Sequence, residues 1–279
     1  MALISNTYGK GRVRVMRIKK DGPLQDVREM NVKAMLTGAF SPAFTSKDNS
    51  PVVSTDTIKN VVNIVARENL GLDKEEFCAA VAQRFLDKYP QVETATVIGH
   101  ETKWLRKSFD GVPHPHTFTL DGNGRPFAKV VATREGQTLY SGLSGYTFMK
   151  STQSGWDNYF MDPYTTIKET RDRIAATSME AHWLWDGKPA DYETANATVL
   201  ETMLKVFGTT YSESMQDSLY RMAMAALDAV PDIREISLAC PNKHYLLINL
   251  DPFGLTNDND VFVPTDEPHG QIECVVGRD

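Results

Sequence analysis

The sequence is poor in the features that most readily place a protein. Its three cysteines, Cys78, Cys240 and Cys274, are an odd number and none sits in a CxxC pair. That argues against a disulfide framework and fits a reducing compartment. No apolar run approaches the roughly 20 residues needed to span a bilayer. The start, Met1 to Thr7, lacks the basic-then-apolar shape of a signal peptide. The end, Val276-Gly277-Arg278-Asp279, is not a Ser-Lys-Leu peroxisomal address. A cytoplasmic protein with no membrane partner is therefore expected. Positive charge is not in excess: the formal net charge is -6. General nucleic-acid binding needs a basic face, so it is not expected either. No GxGxxG, Walker A, HExxH or GxSxG pattern occurs. Nucleotide-cofactor and serine-hydrolase chemistry gain no support.

What is present is globular. The chain has 279 residues, 41% hydrophobic and 24% charged, enough for one large domain or two of ordinary size. Arg12 to Ile18 alternates, with apolar residues at odd positions and then Met16 and Ile18 after a slip. It predicts a half-buried strand that returns, after the Asp21-Gly22-Pro23 turn, as a second strand over Val27 to Leu36. Ser41 to Ser50 is polar and predicts a loop. Ser54-Thr55-Asp56-Thr57 opens a helix bearing Ile58, Val61, Val62 and Val65 on one face. Asp73-Lys74-Glu75-Glu76 opens a second helix. Strands follow over Val92 to Leu105, from His114, and over Val130 to Ala132.

The second half repeats this order of elements. Strands are expected over Leu139 to Met149 and His182 to Trp185, with a short helix between them over Thr165 to Ile174. Helices over Thr194 to Phe207 and Ser212 to Leu227 come next. Strands over Ile233 to Leu238, Tyr245 to Leu250 and Val261 to Val263 close the chain. The repeated order predicts an α+β protein of two similar modules, 1–136 and 137–279.

Several polar residues stand where chemistry could occur. Asn242 and His244 share a face at the start of a strand, with Lys243 pointing the other way. An amide and an imidazole that converge there can bind a ligand or move protons, or simply hydrogen-bond at a sheet end. Lys10 lies between Gly9 and Gly11. It is either a surface lysine or a cation beside a close backbone approach. The helix start at Ser54 to Thr57 is an N-cap whose free amides also suit an anion. Trp156 ends the polar run from Lys150 and is a core residue or a stacking wall. Arg173, expected on a helix, is a solvated charge or a bidentate clamp for a planar anion. Gln216 falls in the first turn of its helix. His114-Pro115-His116 is an HxH pair. It could ligate zinc only with a third ligand, and local hydrogen bonding is the simpler reading.

Together these stretches resemble the urate oxidase (uricase) family over essentially the whole chain. The most specific run is Phe148-Met149-Lys150-Ser151-Thr152-Gln153-Ser154-Gly155-Trp156, continued by Tyr164 to Thr170 and Arg173. It looks like the family's K-[ST]-T-x-S-x-F signature. Tyr8-Gly9-Lys10, Ser54 to Asn60, His114 to His116, Pro241 to Tyr245 and Gly270 to Cys274 match further family stretches in order. The resemblance implies tandem T-fold modules, each an antiparallel four-stranded sheet with helices on one face. Four chains would form a tunnel-shaped homotetramer with active sites at subunit interfaces. The reaction would be urate, O2 and water to 5-hydroxyisourate and H2O2, with no cofactor and no metal.

Residue by residue, the resemblance implies that Arg173 and Gln216 grip the substrate edge, with the Met215 backbone beside them. Trp156 would stack on the purine where the family usually has Phe, and Ile167 stands for the usual Leu. Thr55 and Asp56 would come from the neighbouring subunit. Lys10, Thr55 and His244 would form a proton relay, and Asn242 would hold O2 or water over the ring. Two other readings stay open on the sequence. One is a zinc-dependent pterin enzyme using the HxH pair; the other is a non-catalytic purine binder altered by Trp156.

Overall fold

A computed structural model of the protein describes residues 1–278. Asp279, the last residue of the C-terminal tetrapeptide, lies outside the described residues. The chain forms two compact units, Met1–Gly142 and Leu143–Asp279.

The first unit contains β1 (Tyr8–Lys19), β2 (Asp26–Gly38), α1 (Ser41–Thr45), α2 (Thr55–Glu68), α3 (Lys74–Lys88), β3 (Val92–Phe109), β4 (Val112–Asp121) and β5 (Arg125–Ala132). Its sheet runs β1-β2-β3-β5, and all three pairings are antiparallel. β4 pairs with the far part of β3 as a hairpin. Period-two burial selects one face of the sheet. Met30, Val32, Ala34 and Leu36 of β2 and Val92, Ala95 and Val97 of β3 are buried. Ile58, Val62 and Val65 of α2, with Phe77, Val81 and Phe85 of α3, form the helical side of this core. Truncating Phe85 to alanine should cost about 3–5 kcal/mol. Both long helices start where the sequence places them. The Ser54 side chain accepts from the Thr57 amide and the Asp73 side chain from the Glu76 amide.

Two local expectations fail here. Ser41–Thr45 forms a short helix inside the predicted loop, with Pro42 in its first turn, where a missing N–H costs nothing. The inferred slip in β1 does not occur. Val13 and Arg17 are buried and Met16 is exposed, so the alternation simply continues. Arg17 can sit inside because its guanidinium lies 4.2 Å over the Phe77 ring and donates to the Asn69 carbonyl at 2.9 Å. Burial lowers its pKa to about 10, leaving it cationic at neutral pH.

The second unit repeats the plan. β6 (Gln137–Lys150) leads into it, followed by β7 (Ala175–Trp185), α4 (Tyr192–Thr209), α5 (Met215–Ala229), β8 (Ile233–Leu247) and β9 (Phe262–Gly277). The order in the sheet is β6-β7-β8-β9, with β7–β8 and β8–β9 antiparallel. Met179, Ala181 and Trp183 of β7 and Ile236, Leu238 and Cys240 of β8 are buried. So are Val199, Met203 and Phe207 of α4 and Leu219, Met222 and Ala226 of α5.

The predicted helix over Thr165 to Ile174 is absent; those residues run as irregular and extended chain. Arg173 is therefore not helical. The reason is local: Trp156 and Thr170 exchange backbone hydrogen bonds of 2.7 and 3.0 Å, and the Arg173 amide donates to the Ser154 carbonyl at 3.0 Å. These contacts take the groups that a helix would use. The two short strands predicted around Pro241 are one continuous strand, β8, and it stops at Leu247 rather than Leu250. No helix among the described residues is long and apolar enough to cross a membrane.

Candidate active site

A cleft of about 330 Å³ opens in the second unit. Its walls are Trp156, Ile167, Arg173, Met215, Gln216, Asn242, His244, Gly270, Gln271 and Ile272. Of the sequence-predicted site residues, the seven that belong to this unit all lie here.

Each wall is built by a different piece of chain. Met215 and Gln216 are the first two residues of α5, after the Ser214 cap, whose side chain accepts from the Asp217 amide. The Met215 and Gln216 amides therefore lie at the positive end of the helix, where an anion is favoured. Arg173 enters on the irregular chain before β7. Its Nε donates to the Gly155 carbonyl at 3.0 Å. That bond fixes the plane of the guanidinium and leaves both Nη groups for a ligand. Burial lowers the Arg173 pKa. Gly155 cannot carry a side chain: a Cβ there would lie 2.3 Å from the Tyr211 hydroxyl and 3.1 Å from the Thr170 carbonyl.

Asn242 and His244 come from β8. The β8–β9 ladder pairs Asn242 with Gly270 and then His244 with Thr265. β9 therefore makes an excursion over residues 266–269, opposite Lys243. Lys243 is not part of the cleft wall and pairs with Asp266 at 2.9 Å. The alternation expected from the sequence thus describes this strand. Asn242 Oδ1 is buried and accepts no hydrogen bond within the protein. A buried acceptor in that condition costs free energy unless a ligand or water fills it.

Sequence reasoning missed Gly270, Gln271 and Ile272 as wall residues. They enter through register: Gly270 pairs with Asn242, Gln271 with Pro241 and Ile272 with Cys240. The available signal was Gly270 itself, since a glycine inside a strand often marks a close approach.

The other three predicted residues, Lys10, Thr55 and Asp56, belong to the first unit. Lys10 lies on β1 where its pairing with β2 is interrupted between Lys10 and Val13. Gly9 lies flush on β2, where a Cβ would fall 2.0 Å from the Ala34 carbonyl oxygen; Gly11 faces open space. Thr55 and Asp56 are the first two residues of α2, after the Ser54 cap. Asp56 binds Lys59 at 2.5 Å and Asn60 at 3.0 Å. Lys59, Asn60 and the charge of Lys10 hold its carboxyl below the usual range.

The HxH pair has a local account. The His114 and His116 rings meet edge to face at 4.6 Å, and His114 also packs on Phe109 at 5.4 Å. His100 packs on Phe127. Among the described residues no group of three or more His, Cys, Asp or Glu side chains is gathered as for a metal ion.

Comparison with known proteins adds a second, independent line. The uricase family model matches residues 6–131 and 139–273. The uricase of Aspergillus flavus is 37% identical, over 97% of this chain and 95% of its own length. That of Cyberlindnera jadinii is 35% identical, over 99% and 97%. The crystal structure of the uricase from Arthrobacter globiformis superposes with a TM-score of 0.94 at 33% identity, over 100% of this chain and 96% of the other. The likeness runs through both units, so the tandem T-fold architecture expected from the sequence is that of the chain. On sequence and fold alike, the chain belongs to the uricase family.

Proposed function

We propose that the protein is a urate oxidase that converts urate, O2 and water to 5-hydroxyisourate and H2O2. The observation that carries this reading is the convergence of Trp156, Arg173, Gln216, Asn242 and His244 on one cleft in a chain of the uricase family. The cleft suits a flat, polar anion. An indole offers a stacking surface. The free Nη groups of Arg173 match a planar edge carrying oxygen and nitrogen acceptors. Gln216 adds one donor and one acceptor beside the α5 amides.

The chemistry follows from the substrate. Deprotonated urate is electron-rich and gives two electrons and two protons to O2, forming H2O2. Water then adds to the oxidised ring to give 5-hydroxyisourate. The protein's part is to orient, deprotonate and move protons. In this proposal the Asn242 side-chain amide holds O2 through its N–H donor, and then water through its Oδ1, over the ring. Lys10 draws a proton through the Thr55 hydroxyl, and His244 passes it onward. Thr55 and Asp56 meet the substrate edge opposite Arg173. Lys10, Thr55 and Asp56 are proposed to reach the cleft from a neighbouring chain of a homotetramer. No cofactor takes part in this scheme.

The test is loss of urate absorbance together with O2 uptake in chelator-treated buffer. Stoichiometric consumption with H2O2 release is expected. Urate that stays intact in the presence of O2 would overturn the assignment.

A further inference from the structure

We infer that Tyr159 is a positioning residue for the cleft, acting through Trp156 and Ile167. The inference rests on the assignment of the cleft to urate. The Tyr159 ring lies nearly parallel to the Trp156 indole, with centroids 5.3 Å apart and planes 11° apart. The Tyr159 hydroxyl donates to the Ile167 carbonyl at 2.8 Å. Trp156 and Ile167 both line the cleft, and Tyr159 does not. One side chain outside the cleft therefore fixes two pieces of its wall, the first with its face and the second with its tip.

The backbone shows how this arises. Trp156 is fastened to Thr170 by the reciprocal hydrogen bonds described above. Asn158 then turns at a φ of 52°, in the left-handed region, and its amide donates to Glu169 Oε1 at 2.7 Å. That reversal lays residue 159 back over residue 156. An indole has two faces, and Tyr159 covers one, so at most one is left for a ligand. The ring torsion of an aromatic side chain is soft, so an unsupported indole would sample a range of tilts. A stacked partner narrows that range before the ligand arrives, which lowers the ordering cost of binding.

The effect should appear in binding more than in chemistry. Tyr159→Leu removes the stack and the hydroxyl. It should raise KM for urate, and the inhibition constant of xanthine as a flat purine-dione analogue, by about three- to tenfold, the worth of one aromatic pair. The change in kcat should be smaller. Tyr159→Phe keeps the stack but loses the bond to the Ile167 carbonyl, so it should raise KM by about twofold, less than Tyr159→Leu. In a Trp156→Phe background the Tyr159→Leu effect should shrink, because the two residues act as a pair. Three results would each overturn the inference: unchanged KM in Tyr159→Leu, the full loss in Tyr159→Phe, or an undiminished effect in the Trp156→Phe background. Should Tyr159→Leu fail to fold, Tyr159→Phe decides, and a parental KM there would overturn the inference. Failure of the cleft assignment looks different: the unsubstituted enzyme would then neither consume urate nor bind xanthine.

Discussion

The Tyr8 hydroxyl accepts a hydrogen bond from the Val53 amide at 2.9 Å. The Tyr8 ring meets Phe40 edge to face at 4.8 Å, and burial raises the phenol pKa. This bond ties the chain two residues before Lys10 to the chain two residues before Thr55. Both proposed relay members of the first unit thus hang from one contact. Tyr8→Phe would leave the Val53 amide, in a buried residue, without its acceptor. The expected loss is about 1–3 kcal/mol of stability, read from the urea midpoint. If Lys10 and Thr55 must keep their spacing, kcat should fall by more than KM rises. A variant with parental stability and kcat would show that the bond positions nothing.

Arg173→Lys should be a severe change despite conserving charge. The Arg173 Nε is already committed to the Gly155 carbonyl, so only a forked group can hold that bond and still face the ligand. A lysine ammonium is a point charge on a flexible stem. KM for urate should rise about tenfold or more, and titration calorimetry with xanthine should show a matching loss of affinity. Parental affinity in the lysine variant would mean that charge alone suffices.

Asp73 sets a pH dependence of stability. Desolvation lifts its carboxyl from the ordinary 3.8 to about 6, although its cap bond to the Glu76 amide, 2.8 Å long, opposes the shift. The folded state then binds more protons than the unfolded state between about pH 4 and 6. Stability from this group is therefore greatest below pH 4, falls as pH rises through that window, and is flat above it. With solvent screening at this partly exposed site, the effect is on the order of 1 kcal/mol at neutral pH. Asp73→Asn keeps an acceptor for the cap and removes the charge. It should raise the denaturation midpoint at pH 7 and flatten the profile between pH 4 and 6. A lower midpoint at pH 7 would show that the ionised cap is worth more than its desolvation costs.

The regular elements were legible in the sequence because period and capping express them locally. Ser54 and Asp73 cap the helices they announce, and β2 buries every second residue from Met30 to Leu36. The misses share one cause: the deciding partner is distant in sequence. Arg17 reads as a surface charge until Phe77 and Asn69 are placed beside it. Thr165 to Ile174 has helical spacing, but Trp156 claims the backbone of Thr170. Ile272 reaches the cleft only through its register with Cys240. Gln216 and Asn242 were recognisable through the family resemblance, whereas composition and spacing supply only their residue types. Tyr159 was invisible to both, since its role depends on the turn at Asn158.

The two groups of proposed site residues fall in different units, and that division yields a genetic test. The cleft residues, including Arg173, belong to the second unit; Lys10, Thr55 and Asp56 belong to the first. Lys10→Met alone should abolish most turnover while leaving xanthine binding intact, and Arg173→Gln alone should abolish urate binding. If each working site draws its two halves from different chains, co-expression of the two inactive variants should restore activity. A site that takes its cleft from a Lys10→Met chain and its lysine from an Arg173→Gln chain has every group it needs. With random assembly roughly a quarter of the sites meet that condition. If both halves came from one chain, every site would carry one of the defects and co-expression would restore nothing. On the same proposal activity should rise with protein concentration through the range where the oligomer forms, because a separated chain would have only half of each site. Absence of recovery in verified mixed oligomers would overturn the shared-site proposal while leaving the urate assignment to its own assay.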